Sequence, residues 1–570
     1  MNLIKSQKVF FIGLLLSLSL LWPLFTAPYF SHHDDVQVIR LFEMDKCFKD
    51  RQIPCRWVPD LGGLYGYPLF NYYAPLPYYF GEIIYLISKS LIFSAKFMFA
   101  VSFLGSYLFM YLLAKKFWGN LGGSVAAIFY SFAPYHALDF YIRGAMGEMW
   151  AMMFFPAIFW ALTRLEERIN LANLLILAAF LGGLFASHNL SAMIFAPFTI
   201  IFWLFLFLKK KRMKFLLFSL ASLMLGIALS SFYLIPMLLE KNLVHVDTTT
   251  YGYFGYTEHF KGFRKLFLER EWGYGSSIRE IPGAEKEKIS FQIGWVHLLG
   301  WLLALISAKL IWRKNKLVTY LVLICTSLTL FAIFMIHPRS EFIWKTIQPL
   351  KYLQFPWRFM MMVIFFISFM AGSIFLILPG SRKKYLMWAG LVFLVVVFNF
   401  TYFRPEKFLN VDDQQLLSGE NWDRQIKRSI FDYLPIYAKQ PPAELAKERY
   451  EILTGDSRIF DFEQGSNWLK FKTETRSHTI IRLSQYYFPD WKILVDGKEV
   501  QIDYKSSGLG LMTIILGRGN HIVEARLFDT PIRTISNTIT SGSLLIFIIL
   551  SILQVKKVRN WLEYYRKRIS

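Results

Sequence analysis

The stretch SHHDDVQ, residues 31–37, follows directly on the first long apolar segment of the chain, residues 9–27. It places two adjacent carboxylates, Asp34 and Asp35, and two imidazoles at the mouth of a predicted membrane span. Ionisable groups beside hydrocarbon are costly, and in membrane proteins they mark functional sites. Polar residues that reach the same membrane face as Asp34 are therefore candidates for the same site.

The composition predicts a polytopic membrane protein with soluble parts. The 570-residue chain is 55% hydrophobic and 18% charged, and its mean hydropathy is +0.37, which is more apolar than a soluble globular domain. The formal net charge is +23. This charge does not indicate nucleic acid, because the basic residues form short clusters between apolar segments, as in cytoplasmic loops. We expect membrane lipids as partners. The clusters are residues 209–212, 313–316, 382–384 and 556–568.

The positions of the basic clusters predict the topology. Lys5 and Lys8 precede residues 9–27, so the N-terminus is predicted to be cytoplasmic and Asp34 to lie outside. A cleaved signal peptide is the alternative for this first segment, and it also places Asp34 outside. Residues 83–93 are predicted to form a surface or re-entrant helix, because a span there would move the later basic clusters outside.

We predict about 12 spans in total. They are residues 9–27, 94–114, 121–139, 148–163, 171–187, 190–208, 214–236, 291–312, 317–336, 356–379, 385–403 and 536–554.

The fold class is therefore mostly α, a polytopic membrane protein with a small C-terminal all-β domain. Residues 1–403 are predicted to form the transmembrane domain, with outer loops at 28–93 and 237–290. Residues 404–535 are hydrophilic and are predicted to form an extracytoplasmic domain. Residues 536–570 are predicted to form the last span and a basic cytoplasmic tail.

The β prediction for this extracytoplasmic domain rests on short runs of β-branched and aromatic residues. The turn Asp496-Gly497 lies between two such runs and is typical of a β-hairpin. A small antiparallel sandwich is expected. In the first outer loop, Cys47 and Cys55 are eight positions apart, and a disulfide between them is permitted but not decided by the sequence.

The predicted topology places several polar motifs on the same side as Asp34. They are residues 141–148, His188-Asn189, residues 337–339 and residues 354–358. We expect a cavity at the outer ends of several helices. The sequence contains no P-loop, HExxH or GxSxG motif, which removes the usual support for a nucleotide-driven protein or a soluble hydrolase.

Six stretches carry a resemblance to a known family: Asp34-Asp35, residues 66–73, residues 143–148, His188-Asn189, residues 354–358 and residues 487–497. Together they resemble the GT-C superfamily of integral-membrane glycosyltransferases. More closely, they resemble prokaryotic membrane proteins labelled as related to 6-pyruvoyl-tetrahydropterin synthase. The C-terminal motif is also similar to that of YfhO-type membrane proteins. The resemblance covers nearly the whole chain. The sequence lacks a local histidine spacing for the zinc site of a soluble pterin synthase, so the label does not indicate that chemistry.

The GT-C resemblance implies transfer of a sugar, with inversion, from a polyprenyl-phosphate-linked donor to a glycan, lipid or protein acceptor outside the membrane. Asp34 matches the position of the family's catalytic base. Asp35 could hold a divalent cation, Mg²⁺ or Mn²⁺, together with Asp34, or could orient the acceptor. Glu148 matches the acidic residue of the second outer loop, where it could share the metal or bind the acceptor.

The departing lipid phosphate requires cationic groups at headgroup depth. The predicted phosphate-binding residues are Arg358, Arg143, His337 and Arg339. The residues predicted to support the site are His33, His188, Asn189 and Gln354.

Each motif also has a structural interpretation. Asp34-Asp35 could cap the helix that follows, and Arg143 and Glu148 could form an ion pair across a turn. His188-Asn189 could end a span, and residues 354–358 could anchor a helix at the membrane interface. For the whole protein, the alternatives are a transporter or flippase of lipid-linked sugars and a non-catalytic polysaccharide-binding protein of the cell envelope.

Overall fold

The computed structural model describes residues 2–278, 289–427 and 433–569, with side chains described from residue 7 to residue 555 within these ranges. Residues 279–288 of the predicted outer loop, residues 428–432 of the predicted β domain and the side chains of the predicted basic tail lie outside the described residues.

Most of the described chain is helical. The α-helices are α1 (Asn2–Ser19), α2 (Pro23–Thr26), α3 (Gln37–Lys49), α4 (Leu69–Tyr72), α5 (Leu76–Ser88), α6 (Leu91–Ser131), α7 (Pro134–Ala137), α8 (Met146–Glu167), α9 (Leu171–Ser187), α10 (Asn189–Lys210), α11 (Met213–Leu229), α12 (Ser231–Leu239), α13 (Phe263–Phe267), α14 (Trp295–Ile311), α15 (Lys316–Ile336), α16 (Glu341–Thr346), α17 (Met360–Ala371), α18 (Ser381–Asn399), α19 (Asp413–Leu416), α20 (Gly419–Lys427) and α21 (Pro531–Ile569).

Among the described residues, seven helices are long and apolar enough to cross a membrane, or eight if the bent pair α11 and α12 is one span. Shorter apolar helices cover Gln7–Ser19, Leu171–Ser187 and Trp295–Ile311. Helices α8 and α17 are buried along nearly their whole length. They form the centre of the bundle, and the other apolar helices surround them.

Helix α6 combines two of the predicted spans, and it is broken at Gly119, where φ is +72°. A Cβ placed on Gly123 would lie 3.0 Å from the Cα of Lys115, although eight residues of straight helix would separate these positions by about 12 Å. The Tyr111 hydroxyl also donates to Asn120 Oδ1 at 3.3 Å. The chain therefore reverses at Gly119, which only a residue tolerant of positive φ allows.

The second of the two predicted spans in α6, residues 121–139, also extends too far, because α6 ends at Ser131 and Pro134 starts a new short helix. Proline disfavours helical backbone in the residue before it. The prediction for residues 214–236 is interrupted, because α11 and α12 meet at an angle of 76°.

The strands form three antiparallel sheets. They are β1 (Tyr29–Phe30), β2 (Phe408–Leu409), β3 (Tyr450–Thr454), β4 (Ser457–Gln464), β5 (Trp468–Thr475), β6 (Thr479–Tyr486), β7 (Trp491–Val495), β8 (Lys498–Val500), β9 (Leu511–Leu516) and β10 (Gly519–Leu527). The sheet orders are β1-β2, β4-β5-β10-β7-β8 and β3-β6-β9.

The predicted hairpin at Asp496-Gly497 is confirmed. Val495 pairs with Lys498 across it, and both turn residues have positive φ, 51° and 80°. This is the backbone of a two-residue hairpin turn whose twist matches that of the flanking strands.

Two contacts attach the chain after α18 to the membrane part. Strand β2 pairs with β1, so that Phe408 lies opposite Phe30, immediately before residues 31–37. The Asp413 carboxylate accepts the backbone N–H groups of Leu91 and Ile92 at 2.7 and 2.8 Å, and thereby caps α6. These contacts fix the position of the acidic stretch against the helices.

Candidate functional site

Asp34 lies in an exposed turn that is fixed by its backbone. Its N–H donates to the carbonyl of Arg143 at 2.9 Å, and the N–H of His33 donates to the carbonyl of Ile142 at 2.8 Å. The Gln37 amide donates to the carbonyls of Gly144 and Asp34 at 2.8 and 3.2 Å. The carboxylate of Asp34 is therefore exposed to solvent on a backbone that is held at several points.

Gly144 allows the turn at Asp34 to lie close to the segment that contains Arg143. Its φ is +65°, and a Cβ there would lie 2.6 Å from the ring of His32. A side chain at position 144 would therefore be strained and would also push the acidic turn away. Burial lowers the pKa of His32, so the imidazole packs in its neutral form, with Nε2 3.2 Å from the hydroxyl of Tyr29.

The other members of the acidic stretch have separate partners. Asp35 is buried, and its Oδ2 lies 3.4 Å from Nη2 of Arg424 in α20. The exposed His33 places its Nε2 2.7 Å from the carbonyl of Tyr274. The two adjacent aspartates therefore differ: Asp35 contacts α20 through Arg424, and Asp34 is exposed to solvent.

Behind this turn lies a buried group that we call the Glu148 cluster, consisting of Asp139, Arg143, Glu148 and Arg358. Arg143 donates to both oxygens of Glu148, at 2.7 and 2.8 Å, and also pairs with Asp139. Nε of Arg358 donates to Glu148 at 2.8 Å. Glu148 lies in the first turn of the central helix α8, and Arg358 precedes the central helix α17, so the cluster joins the N-terminal ends of both.

The charged groups of the Glu148 cluster face one another. Two guanidinium groups face two carboxylates, and the rings of Trp357 and Phe355 lie 4.5 and 4.8 Å from Arg143 and Arg358. A buried ion pair of this geometry holds both partners in place. The predicted structural interpretation of Arg143 and Glu148 as an ion pair agrees with this arrangement.

Three of the predicted supporting residues lie around α8, α10 and α17. Nδ1 of His188 accepts the N–H of Ser191 at 3.1 Å and caps α10. Burial lowers the pKa of His188 to about 3, so the ring is neutral. Gln354 accepts a bond from Arg358 at 3.2 Å. The amide of Asn189 lies 3.6 Å from the sulfur of Met237.

The predicted phosphate-binding residues His337 and Arg339 lie elsewhere. The ring of His337 stacks on Phe263 at 4.3 Å, and its Nδ1 accepts the N–H of Arg339 at 3.2 Å. The side chain of Arg339 is exposed. The contacts of this pair are thus with the segment after α12 and not with the Glu148 cluster.

The described side chains include no group of three or more histidine, cysteine, aspartate or glutamate residues placed to hold a metal ion. Mg²⁺ requires near-octahedral coordination by oxygen. The pair Asp34-Asp35 supplies only part of such a shell, because Asp35 is engaged with Arg424. The donor set therefore does not fit a metal centre built by the protein alone.

Arg40 of α3 was not among the site residues predicted from the sequence. Its guanidinium lies 4.0 Å from the ring of Tyr73, and Nη1 donates to the hydroxyl of Tyr78 at 3.3 Å. That hydroxyl donates to Gln37 at 2.5 Å, which in turn binds the backbone of Asp34. Among the described residues, no carboxylate pairs with this nearly buried cation. A basic residue five positions after the acidic pair, in the first turn of α3, was the available signal.

Residues 66–73, which carried part of the resemblance, contribute to a second buried group. We call it the Glu240 cluster, consisting of Asn71, Glu240, Thr530 and Arg533. Glu240 accepts bonds from Arg533 at 2.9 Å, Asn71 at 3.0 Å and Thr530 at 2.6 Å. The cluster joins the first outer loop, the end of α12 and the start of α21. A disulfide links Cys47 and Cys55 in the same loop.

Apolar helices around a buried ionic cluster, with strands on one side, define a polytopic membrane protein. The chain belongs to the family of membrane proteins described as the 6-pyruvoyl-tetrahydropterin synthase related domain, whose model matches residues 70–404. This confirms the family predicted from the motifs. The matched residues include Glu148 and Arg358 but not Asp34.

The chain is also similar to an uncharacterized protein of Lactococcus lactis subsp. cremoris (strain MG1363). The two are 26% identical over 249 residues, which is 41% of this chain and 41% of the relative. The chain therefore spans less than half the length of this relative.

Proposed function

We propose that the protein is a GT-C-type glycosyltransferase that moves a sugar from a polyprenyl-phosphate-linked donor to an acceptor at the extracytoplasmic face. The observation that carries the proposal is the geometry of Asp34. The exposed carboxylate of Asp34 lies on a turn whose backbone is hydrogen-bonded to Ile142 and Arg143. Arg143 also belongs to the Glu148 cluster. Such a rigid backbone positions a catalytic base against a bound substrate.

In the proposed reaction, Asp34 takes the proton of an acceptor hydroxyl. The hydroxyl oxygen forms a bond to the anomeric carbon of the donor sugar. The bond from that carbon to the phosphate oxygen breaks, and its electron pair leaves with the polyprenyl phosphate. Attack from the side opposite the leaving group inverts the anomeric carbon. The Glu148 cluster acts in this scheme as a positioning group for the Asp34 turn.

The leaving phosphate requires a cation whose charge is not already balanced. Arg143 and Arg358 are already paired with buried carboxyl groups, whereas Arg40 contacts the tyrosines Tyr73 and Tyr78. We therefore assign the phosphate contact first to Arg40, with His337 and Arg339 as further candidates. A divalent cation would enter with the donor phosphate, since the protein side chains do not complete a metal shell.

We also propose the topology that this reaction requires. Dividing α6 at Gly119 and adding the bent pair and the shorter apolar helices to the long ones gives about 12 spans, as expected from bilayer thickness. Both termini are then cytoplasmic, and the strands lie outside. The contact between Tyr450 and Phe462, 5.7 Å between ring centroids, joins β3 to β4 and supports a sandwich of the two larger sheets.

Transfer by the purified protein in lipid vesicles tests this function, with a polyprenyl-phosphate-linked sugar as donor and released polyprenyl phosphate as the readout. Asp34→Asn should abolish turnover and keep the melting temperature. Asp423→Asn, a change at an exposed aspartate of α20, is the matched control and should keep turnover. Full turnover by Asp34→Asn would exclude Asp34 as the base, whereas no turnover by the unmodified protein would favour a flippase or a polysaccharide-binding protein.

A further inference from the structure

A cleft of about 420 Å³ lies between the first outer loop and the strands, away from Asp34. Side chains from the two parts of the chain line it: Lys46, Lys49, Asp60, Arg449, Phe462 and Gln464. Cavities of this size hold small polar ligands. Nothing in the proposed transfer step uses this cleft.

The two walls of the cleft are fastened to each other. The Asp50 carboxylate accepts the backbone N–H of Ser466, and the Gln52 amide donates to the Ser466 hydroxyl at 3.0 Å. Gly465 is required beside them, because a Cβ there would overlap the ring of Trp468. The disulfide at Cys47 closes the loop that carries the first wall. The cleft is therefore preformed, which lowers the entropic cost of binding a ligand.

The charged groups of the cleft offer both donors and acceptors. Asp60 is shared by two cations, Lys46 and Arg449, whose Nη2 lies 3.7 Å away. Nη1 of Arg449 is buried and has no hydrogen-bond partner among the described residues. Burial and the neighbouring Asp60 raise the pKa of Glu43 well above its ordinary value, so this carboxyl adds no negative charge beneath the cleft.

A ligand for this cleft must carry several polar groups that both donate and accept, together with an apolar surface. The hydroxyls of a sugar can donate to Asp60 and accept from Arg449 and Lys46. The C–H face of a sugar ring can pack on the half-buried ring of Phe462. A saccharide meets all three requirements.

We propose that the cleft binds an oligosaccharide, which is the acceptor of the transfer reaction; the acceptor role, but not the binding, rests on the proposed function. Helix α3 runs from Gln37, beside Asp34, to Lys49 in the cleft, a distance of about 18 Å along its axis. An acceptor that occupies the cleft and also reaches Asp34 must therefore contain several sugar units. The acceptor class is thus a glycan and not a lipid or a protein.

Isothermal titration of the full-length protein in detergent tests the binding, with maltotetraose, chitotetraose and tetragalacturonate as neutral, N-acetylated and acidic probes. At least one probe should bind. Arg449→Gln should weaken that binding about tenfold, which corresponds to about 1.4 kcal/mol, and Phe462→Leu should weaken it as well. Arg458→Gln, at an exposed arginine of β4, is the matched control and should not.

Two results would overturn the proposal: no binding of any of the three probes, or binding that Arg449→Gln and Phe462→Leu leave unchanged while both variants keep the melting temperature. Asp34→Asn separates the two proposals, because it should abolish transfer and keep oligosaccharide binding. If the unmodified protein binds an oligosaccharide but transfers no sugar, the proposed binding site stands and the proposed transferase activity is rejected.

Discussion

The Glu148 cluster and the Glu240 cluster share a buried glutamate–arginine pair and differ in their neighbours. In each, a buried glutamate accepts bonds from buried arginine at 2.7–2.9 Å. The Glu148 cluster lies directly behind the exposed Asp34, whose N–H binds the carbonyl of Arg143. The Glu240 cluster is enclosed, and the hydroxyl of Tyr72 donates to the carbonyl of Glu240 at 2.8 Å.

This comparison teaches that a buried ion pair in a membrane protein does not by itself mark an active site. Both clusters join segments that are distant in the sequence, and both contain a buried glutamate that accepts a hydrogen bond from a buried arginine. The proposed function rests on the exposed carboxylate of Asp34, which lies beside the Glu148 cluster and not beside the Glu240 cluster. Variants of the two clusters should therefore separate stability from activity.

The largest expected effect is on the rate of sugar transfer. Asp34→Asn should reduce turnover by about 10²–10⁴-fold, the usual contribution of a general base. Glu240→Gln should leave turnover per folded molecule close to that of the unmodified protein, because the Glu240 cluster does not contact the Asp34 turn. The measurement is release of polyprenyl phosphate at equal amounts of folded protein. Equal losses of turnover in Asp34→Asn and Glu240→Gln would mean that activity does not depend on the Asp34 turn more than on the Glu240 cluster.

The next effect is on stability, and here the two clusters should behave alike. Glu240→Gln leaves the buried Arg533 without its carboxylate, and Glu148→Gln leaves Arg143 and Arg358 with Asp139 alone. Removing one partner of a buried ion pair costs about 3–5 kcal/mol. Thermal unfolding in detergent should show a lower melting temperature for both variants. A melting temperature unchanged in either one would mean that its ion pair contributes nothing to the fold.

A smaller effect is expected at Arg40. Arg40→Gln should raise the KM for the lipid-linked donor about tenfold, since a charge-assisted hydrogen bond contributes about 1.5–3 kcal/mol. Arg164→Gln is the control, because the guanidinium of Arg164 also lies over an aromatic ring, that of Trp160 at 4.9 Å, at the other end of α8. An unchanged KM for the donor in Arg40→Gln would instead favour the Glu148 cluster or Arg339 as the group that binds the phosphate.

The smallest effect concerns Glu82, a buried carboxyl of α5 that, unlike Glu148 and Glu240, has no hydrogen-bond partner for either oxygen among the described residues. Burial, together with Asp45, raises its pKa to about 7, above the value of about 4.3 in an unfolded chain. The folded state therefore binds the proton more tightly, and this stabilising contribution is lost as the pH rises from about 4 to 7. Melting temperatures between pH 5 and 8 should fall less steeply in Glu82→Gln. If the melting temperature falls equally steeply with pH in Glu82→Gln and in the unmodified protein, the pKa of Glu82 is not raised in the folded state.

Several parts of the site could be predicted because they depend on local sequence. The motifs at Glu148, His188 and Arg358 were placed at one end of the helices from hydropathy and the positions of lysine and arginine, and the structure brings these three together. The hairpin at Asp496-Gly497 was predicted from two adjacent residues. Predicting such features requires only the hydrophobic periodicity of one segment and the end of the helices at which that segment stops.

Other features could not be predicted, because they depend on partners far apart in the chain. The pairing of Arg358 with Glu148, 210 positions away, is visible only in the structure. Residues 66–73 were grouped with the functional motifs, yet Asn71 binds Glu240. Arg40 was overlooked because its lack of a carboxylate partner is visible only once the neighbouring side chains are placed.

The amino-acid sequence by itself determined that this protein is a membrane-embedded helical bundle with a strand-rich C-terminal part, and that its acidic pair follows the first helix. Hydrophobic burial and strand alternation act over short stretches, so composition and spacing suffice for both. Only the tertiary structure decided which arginine is balanced, which aspartate stays exposed and where a cleft opens. Those outcomes depend on the distances between charges on separate segments, and electrostatic energy is set by these distances and by burial rather than by order along the chain.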